Sequence, residues 1–280
     1  MRTRPARPAF TPSIRNMETA SPRRGALARP PLVFAHIDAS ACDRPPEIVA
    51  IGPRVAHVWA FLLDASTESG NTWRHVLSSE EKTRADRFAH TVNRDRWTVA
   101  RGVLRHLLSR YCGVPPHAIA FEQGATGKPS IAGGSADRSV AFNLAHSHGR
   151  ALLAVARDAP VGIDLEQERR DFDPMPLARQ FFFERELEAI ASVLADRQRE
   201  AFFRHWVAKE SVLKAQGVGL SFPLDHFHVS FDADHTIARV QSRDPQTLSP
   251  EWIVRVLSPG TGWHAAVTAR GEDWDVRVMA

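Results

Sequence analysis

The chain has 280 residues, 43% of them apolar and 24% charged, the balance of a soluble globular protein with room for one large domain or two ordinary ones. The net charge is +4, but residues 1–30 hold seven arginines against one glutamate, so residues 31–280 carry about −2 and argue against a nucleic-acid-binding surface. Cys42 and Cys112 build neither a disulfide framework nor a zinc pattern, and no apolar run approaches a membrane span, so the expectation is a cytoplasmic protein that leaves membranes alone.

Residues 1–46, rich in Pro, Arg, Ala and Ser, read as a disordered tail. A transit peptide, or a true start at Met17, is the lesser reading of its first part. IVAIG and HVWAFLLD, within residues 48–64, read as strands. SSEEKTRADRFA opens with a capping box, Ser78 with Glu81. A second helix is expected from about Arg94 to Tyr111, with Trp97, Ala100, Leu104, Leu107 and Tyr111 on its buried face. Strands follow at HAIAFEQ, SVAFNLAHS, ALLAVAR and VGIDLE, with a turn at GATGKP. Residues 174–197 and 199–216 read as helices, and HFHVSF, IARVQS, WIVRVLS, HAAVTAR and DVRVM as strands. ALLAVARDAPVGIDL and HAAVTARGEDWDVRV are weakly alike. The predicted class is α+β, with two similar halves, residues 47–157 and 158–280, each an antiparallel sheet packed with helices.

Lysine is scarce: it occurs only at positions 82, 128, 209 and 214, against 32 arginines. Two of the four stand in WVAKESVLKAQG, beside Glu210. On a helix Phe203, Val207, Glu210 and Lys214 share one stripe, which sets two charges on a mostly apolar face where they cost free energy unless paired or used. A routine i,i+4 Glu–Lys pair is the plainer reading. Gly217 reads as the glycine that ends this helix. In GIDLE, Asp164 and Glu166 leave the strand on one face, roughly 7 Å apart, while Ile163 and Leu165 anchor the other. Two such acids repel unless a cation offsets them, and Mg²⁺ takes a few carboxylates together with phosphate oxygens. Three acids and a lysine therefore suggest a Mg²⁺–pyrophosphate site in the C-terminal half, where a compact ammonium serves as a point charge. Lys128 sits in a Gly–Pro turn that is not a Walker loop, and FNLAHS closes a strand with Asn143, His146 and Ser147.

In this order and spacing, GKPSI, FNLAHS, VGIDLE and WVAKESVLKAQGVGL resemble the 4′-phosphopantetheinyl transferases, specifically the long, surfactin-synthetase-activating type. The resemblance runs from about Ser78 to Ala269. It implies a pseudo-dimer of two α+β halves, and a monomer. It implies transfer of the 4′-phosphopantetheine arm of coenzyme A to a serine of an acyl, peptidyl or aryl carrier protein, with release of 3′,5′-ADP. Asp164, Glu166 and Glu210 would ligate Mg²⁺. Lys214 would contact the pyrophosphate, and Glu210, directly or through a water, would take the serine proton. Lys128 and His146 would hold phosphates of the nucleotide end, with Arg84 and Arg87 near them. Glu186, in FFFEREL, matches a family acid near the metal. Lys209 lies on another helical stripe and receives no chemistry. The family's serine before the motif histidine is here Ala145, which implies a lost hydroxyl contact to the nucleotide. The competing reading of the same acids and lysine is a Mg²⁺-dependent phosphodiesterase or nuclease, which would need a basic groove.

Overall fold

The computed structural model describes residues 29–64, 72–124, 126–133, 140–169, 171–219 and 222–279. The class is α+β. In chain order the regular elements are β1 (Val55–Leu62), α1 (Ser79–Asp86), α2 (Thr91–Cys112), β2 (Phe121–Gln123), β3 (Pro129–Ile131), β4 (Val140–Ser147), β5 (Arg150–Arg157) and β6 (Gly162–Gln167). There follow α3 (Met175–Phe181), α4 (Glu184–Ser192), α5 (Gln198–Gln216), β7 (Phe227–Phe231), β8 (Ile237–Ser242), β9 (Trp252–Leu257), β10 (Trp263–Arg270) and β11 (Asp275–Met279).

A first sheet has the order β11-β1-β5-β4, and a second β6-β10-β9-β8-β7. Strand alternation explains how they stack. In β1, Trp59 and Phe61 face α2, while the smaller Ala56, Val58 and Ala60 face the second sheet. In β5, Leu153 and Val155 go to the α2 side, and Leu152, Ala154 and Ala156 to the sheet side. The second sheet answers with Ile163, Leu165, Ala265, Val267 and Ala269. Two faces of mostly small side chains thus close on each other, α2 covers the first sheet, and α5 covers the second. Burial on both faces is why β1 and β5 read as near-continuous apolar runs.

The two weakly alike segments do the same thing in space. After β5 the chain leaves the first sheet to make β6 in the second; after β10 it leaves the second to make β11, parallel to β1 in the first. A cut between residues 157 and 158 therefore does not separate the sheets, because β11 belongs to the first one.

Several local expectations are met. Ser78 accepts the Glu81 N–H at 3.3 Å and Glu81 accepts the Ser78 N–H at 2.9 Å, a complete capping box. Gly217 caps α5 in the left-handed region, at φ 78°. Others are corrected. IVAIG is not a strand: Pro53 lacks an N–H, Arg54 turns at φ 57°, and β1 begins only at Val55. Residues 174–197 hold two helices, broken where Phe182 and Phe183 turn extended, with Phe182 stacked on Phe202 at 5.1 Å. Residues 1–28 of the expected tail lie outside the described residues. Residues 29–46, assigned to that tail by composition, instead lie on the body: the Leu32 N–H donates to Ser258 O at 2.9 Å, and Leu32 is buried in the core between the sheets.

Candidate active site

The site forms where β6, α5 and β4 meet. Gly162 makes the approach of strand to helix possible: a Cβ there would lie 2.1 Å from Ser211 O and 2.3 Å from Ala215 N. Directly across from Gly162, the hydroxyl of Thr268 bonds that of Ser211 at 2.6 Å, which pins α5 to β10. With the helix held this close, Glu210 and Lys214 look onto β6. Ile163 and Leu165 go to the inter-sheet core, so Asp164 takes the opposite face, toward α5.

Lys214 donates to Asp164 Oδ1 at 2.6 Å. Ser147, at the end of β4, donates to Glu166 Oε2 at 3.1 Å. Asp164 and Glu210 are buried, and Asp164 Oδ2 and Glu210 Oε1 have no hydrogen-bond partner. Burial and then the charge of Asp164 push Glu166 up to about 7, against the hydrogen bond from Ser147. The same two causes push Glu210 up to about 7. Burial alone would lower the Lys214 pKa; Asp164, then Glu210 and Glu166, more than offset it and hold the pKa above its ordinary value. The structure thus brings together Asp164, Glu166, Glu210 and Lys214. Among the described residues no three His, Cys, Asp or Glu side chains converge as a preformed metal cage. Two orphaned, buried carboxylate oxygens beside a third acid nonetheless fit a hard cation, since burying an unpaired carboxylate oxygen is costly.

A cleft of about 820 Å³ opens beside this cluster, walled by Arg84, Trp97, His117, Phe121, Asn143 and His146 among others. His146 is exposed within it. The surrounding walls and the charge of Lys214 hold the imidazole below its usual pKa. Arg84 lies over the Trp97 ring at 5.6 Å. Arg87 falls outside this cleft, in a neighbouring depression that Arg84 also lines. Arg101 and Arg105 are engaged internally by Glu81.

Three further positions have defined surroundings. Lys128 does not stand free: its ammonium donates to Val161 O at 3.1 Å and Ala215 O at 3.3 Å, and burial pulls its pKa down to about 8. Glu186 is not beside the acid cluster. It accepts from Lys209 Nζ at 2.7 Å, Val229 N–H at 2.8 Å and Phe183 N–H at 3.1 Å, fully buried. Burial raises the Glu186 pKa and lowers that of Lys209. Ala145 is buried in the inter-sheet cluster and shares its strand face with Asn143 and Ser147, which bond β6. The contributions of Asn143, whose side chain accepts the Ile163 N–H at 2.8 Å, and of Ser147 were open to strand alternation alone: residues 143, 145 and 147 fall on one face.

Comparison with known proteins places these residues in two matched regions. Residues 160–268 match the 4′-phosphopantetheinyl transferase superfamily, and residues 65–158 match a family described as 4′-phosphopantetheinyl transferase, N-terminal. The 4′-phosphopantetheinyl transferase HetI of Nostoc sp. is 34% identical over 231 residues, 82% of this chain and 94% of that protein. Sfp of Bacillus subtilis is 30% identical over 210 residues, 75% of this chain and 89% of that protein. Psf-1 of Bacillus pumilus is 33% identical over 194 residues, 69% and 79% respectively.

Proposed function

The chain belongs to the 4′-phosphopantetheinyl transferases, and from that premise we propose that it transfers the phosphopantetheine arm of coenzyme A to a serine of an acyl, peptidyl or aryl carrier protein, with Mg²⁺, releasing 3′,5′-ADP. The observation that carries the site assignment is the pair of partnerless buried oxygens, Asp164 Oδ2 and Glu210 Oε1, beside the Lys214 ammonium.

The carrier serine oxygen attacks the phosphorus that bears the pantetheine arm. A P–O bond forms, the bridging P–O bond breaks, and its electron pair leaves with 3′,5′-ADP. Glu210, directly or through one water, takes the serine proton. Lys214 offsets charge on the leaving phosphate. Mg²⁺ held by Asp164, Glu166 and Glu210 would supply further positive charge to the pyrophosphate. The cleft volume is within the range of small-molecule sites, and Arg84, His146 and, in the neighbouring depression, Arg87 suit the phosphates of the nucleotide end. Lys128 keeps a third N–H for the same purpose, beyond its two carbonyls. We read the protein as a cytoplasmic monomer; no helix among the described residues is long and apolar enough to cross a membrane.

The test is calorimetric binding of Mn²⁺ to the coenzyme A-loaded protein. Wild type is expected to bind, and Asp164→Ala to lose Mn²⁺ while still binding coenzyme A. Unchanged Mn²⁺ affinity in Asp164→Ala would contradict the ligand assignment.

A further inference from the structure

Residues 30–36 lie outside both family matches, yet they join the two sheets. The Leu32 N–H donates to Ser258 O at 2.9 Å and the Ser258 N–H to Pro30 O at 3.0 Å, just past β9. The Ala35 N–H donates to Ala60 O at 3.3 Å and the Leu62 N–H to Ala35 O at 3.0 Å, on β1. One short segment therefore pairs with the second sheet at one end and the first sheet at the other.

Between those ends stands Phe34. The Arg150 guanidinium lies over the Phe34 ring at 4.6 Å and over the Trp263 ring at 4.4 Å, and its Nη1 donates to Pro259 O at 3.0 Å. Arg150 is the first residue of β5 and pairs across a two-residue turn with Ser147. Ser147 is the donor to Glu166. His148, inside that turn, sets its ring edge against Trp263 at 6.2 Å. Trp263 in turn pairs with Gln167, the neighbour of Glu166. Contacts thus run without a gap from Phe34 through Arg150 and the Ser147–Arg150 turn to the Glu166 carboxylate.

We infer that residues 30–36 are a positioning strap for Glu166, acting through Arg150 and Ser147. Arg150 is a positioning residue: it touches no reacting atom and fixes the turn that carries the Ser147 hydroxyl. The inference rests on Glu166 being a metal ligand of the transfer reaction. The arrangement has the logic of an outer-shell partner that orients a ligating carboxylate. A guanidinium within cation–π reach of two rings suits it, since one group then contacts both.

The experiment measures Mn²⁺ affinity of the coenzyme A-loaded protein, with melting temperature as the check of folding. Ser147→Ala is expected to weaken Mn²⁺ binding about tenfold. Phe34→Ala, at a half-buried position, is expected to weaken it by about three- to tenfold, and Phe34→Tyr, which keeps the ring, to bind as wild type. The double variant Phe34→Ala/Ser147→Ala is expected to be no weaker than Ser147→Ala, because both act on one path. Arg150→Lys, which keeps the charge and loses the guanidinium, replaces Phe34→Ala should that chain not fold. Wild-type affinity in Phe34→Ala (or in its replacement), or effects that multiply in the double variant, would overturn the strap while Glu166→Gln still weakened binding. Unchanged affinity in Glu166→Gln would remove the ligand reading and the strap with it.

Discussion

Lys214 donates to Asp164 at 2.6 Å, so one charged contact ties the last turn of α5 to β6 while the second Asp164 oxygen has no partner. The contact gives Asp164→Ala a defined consequence. Lys214 loses its counter-charge and the acid cluster loses its central member, so transfer is expected to fall by about a thousandfold. The melting temperature should change little by comparison. Product formation followed against an unmodified carrier checks this.

The same juxtaposition depends on a missing side chain. In Gly162→Ala the new methyl meets Ser211 O and the Ala215 backbone, neither of which yields as a flexible side chain would. The helix must move off the strand. The expected cost is about 3 kcal/mol in a urea titration, at the upper end for overpacking, together with reduced transfer.

How much of this was legible in the sequence follows the range of each interaction. The capping box at Ser78, the left-handed Gly217 and the shared face of Asp164 and Glu166 are local, and spacing alone locates them. The stripe that joins Glu210 to Lys214 is local too. Pairing of β11 with β1, packing of residues 29–46 on the body, and burial of Glu186 against Lys209 are not, because each joins segments far apart in the chain. Lys128 shows the limit most plainly. A turn lysine looks free in a sequence, and only the docking of that turn on the end of α5 shows that it serves two carbonyls.

Glu186 and Lys209 make a prediction about stability. Each is fully buried, and Lys209 also donates to Phe227 O. Glu186→Ala strands an ammonium in the core and is expected to cost about 3–5 kcal/mol. Glu186→Leu combined with Lys209→Met removes both charges and is expected to regain much of that loss. Chemical denaturation of the three chains decides it.

His205 makes a prediction about pH. It is buried, its Nδ1–H donates to Ala201 O at 2.8 Å, and burial is the main cause that lowers its pKa to about 4 from an ordinary 6.5. The unfolded chain therefore binds the proton first as pH falls. The stability from the neutral ring is complete above pH 6.5, declines as pH falls, and is gone below about 4; the window corresponds to about 3 kcal/mol. His205→Phe, between Phe182 and Phe231, is expected to flatten this part of the stability–pH curve. Equal slopes for the two chains between pH 4 and 6.5 would contradict it.

The most direct test of the central claim is the intact mass of an apo carrier protein after incubation with this protein, coenzyme A and Mg²⁺. The account predicts a gain of one phosphopantetheine on the carrier serine, absent with EDTA and absent with Asp164→Ala. No gain on acyl, peptidyl and aryl carriers alike, from a protein that binds coenzyme A, would contradict it.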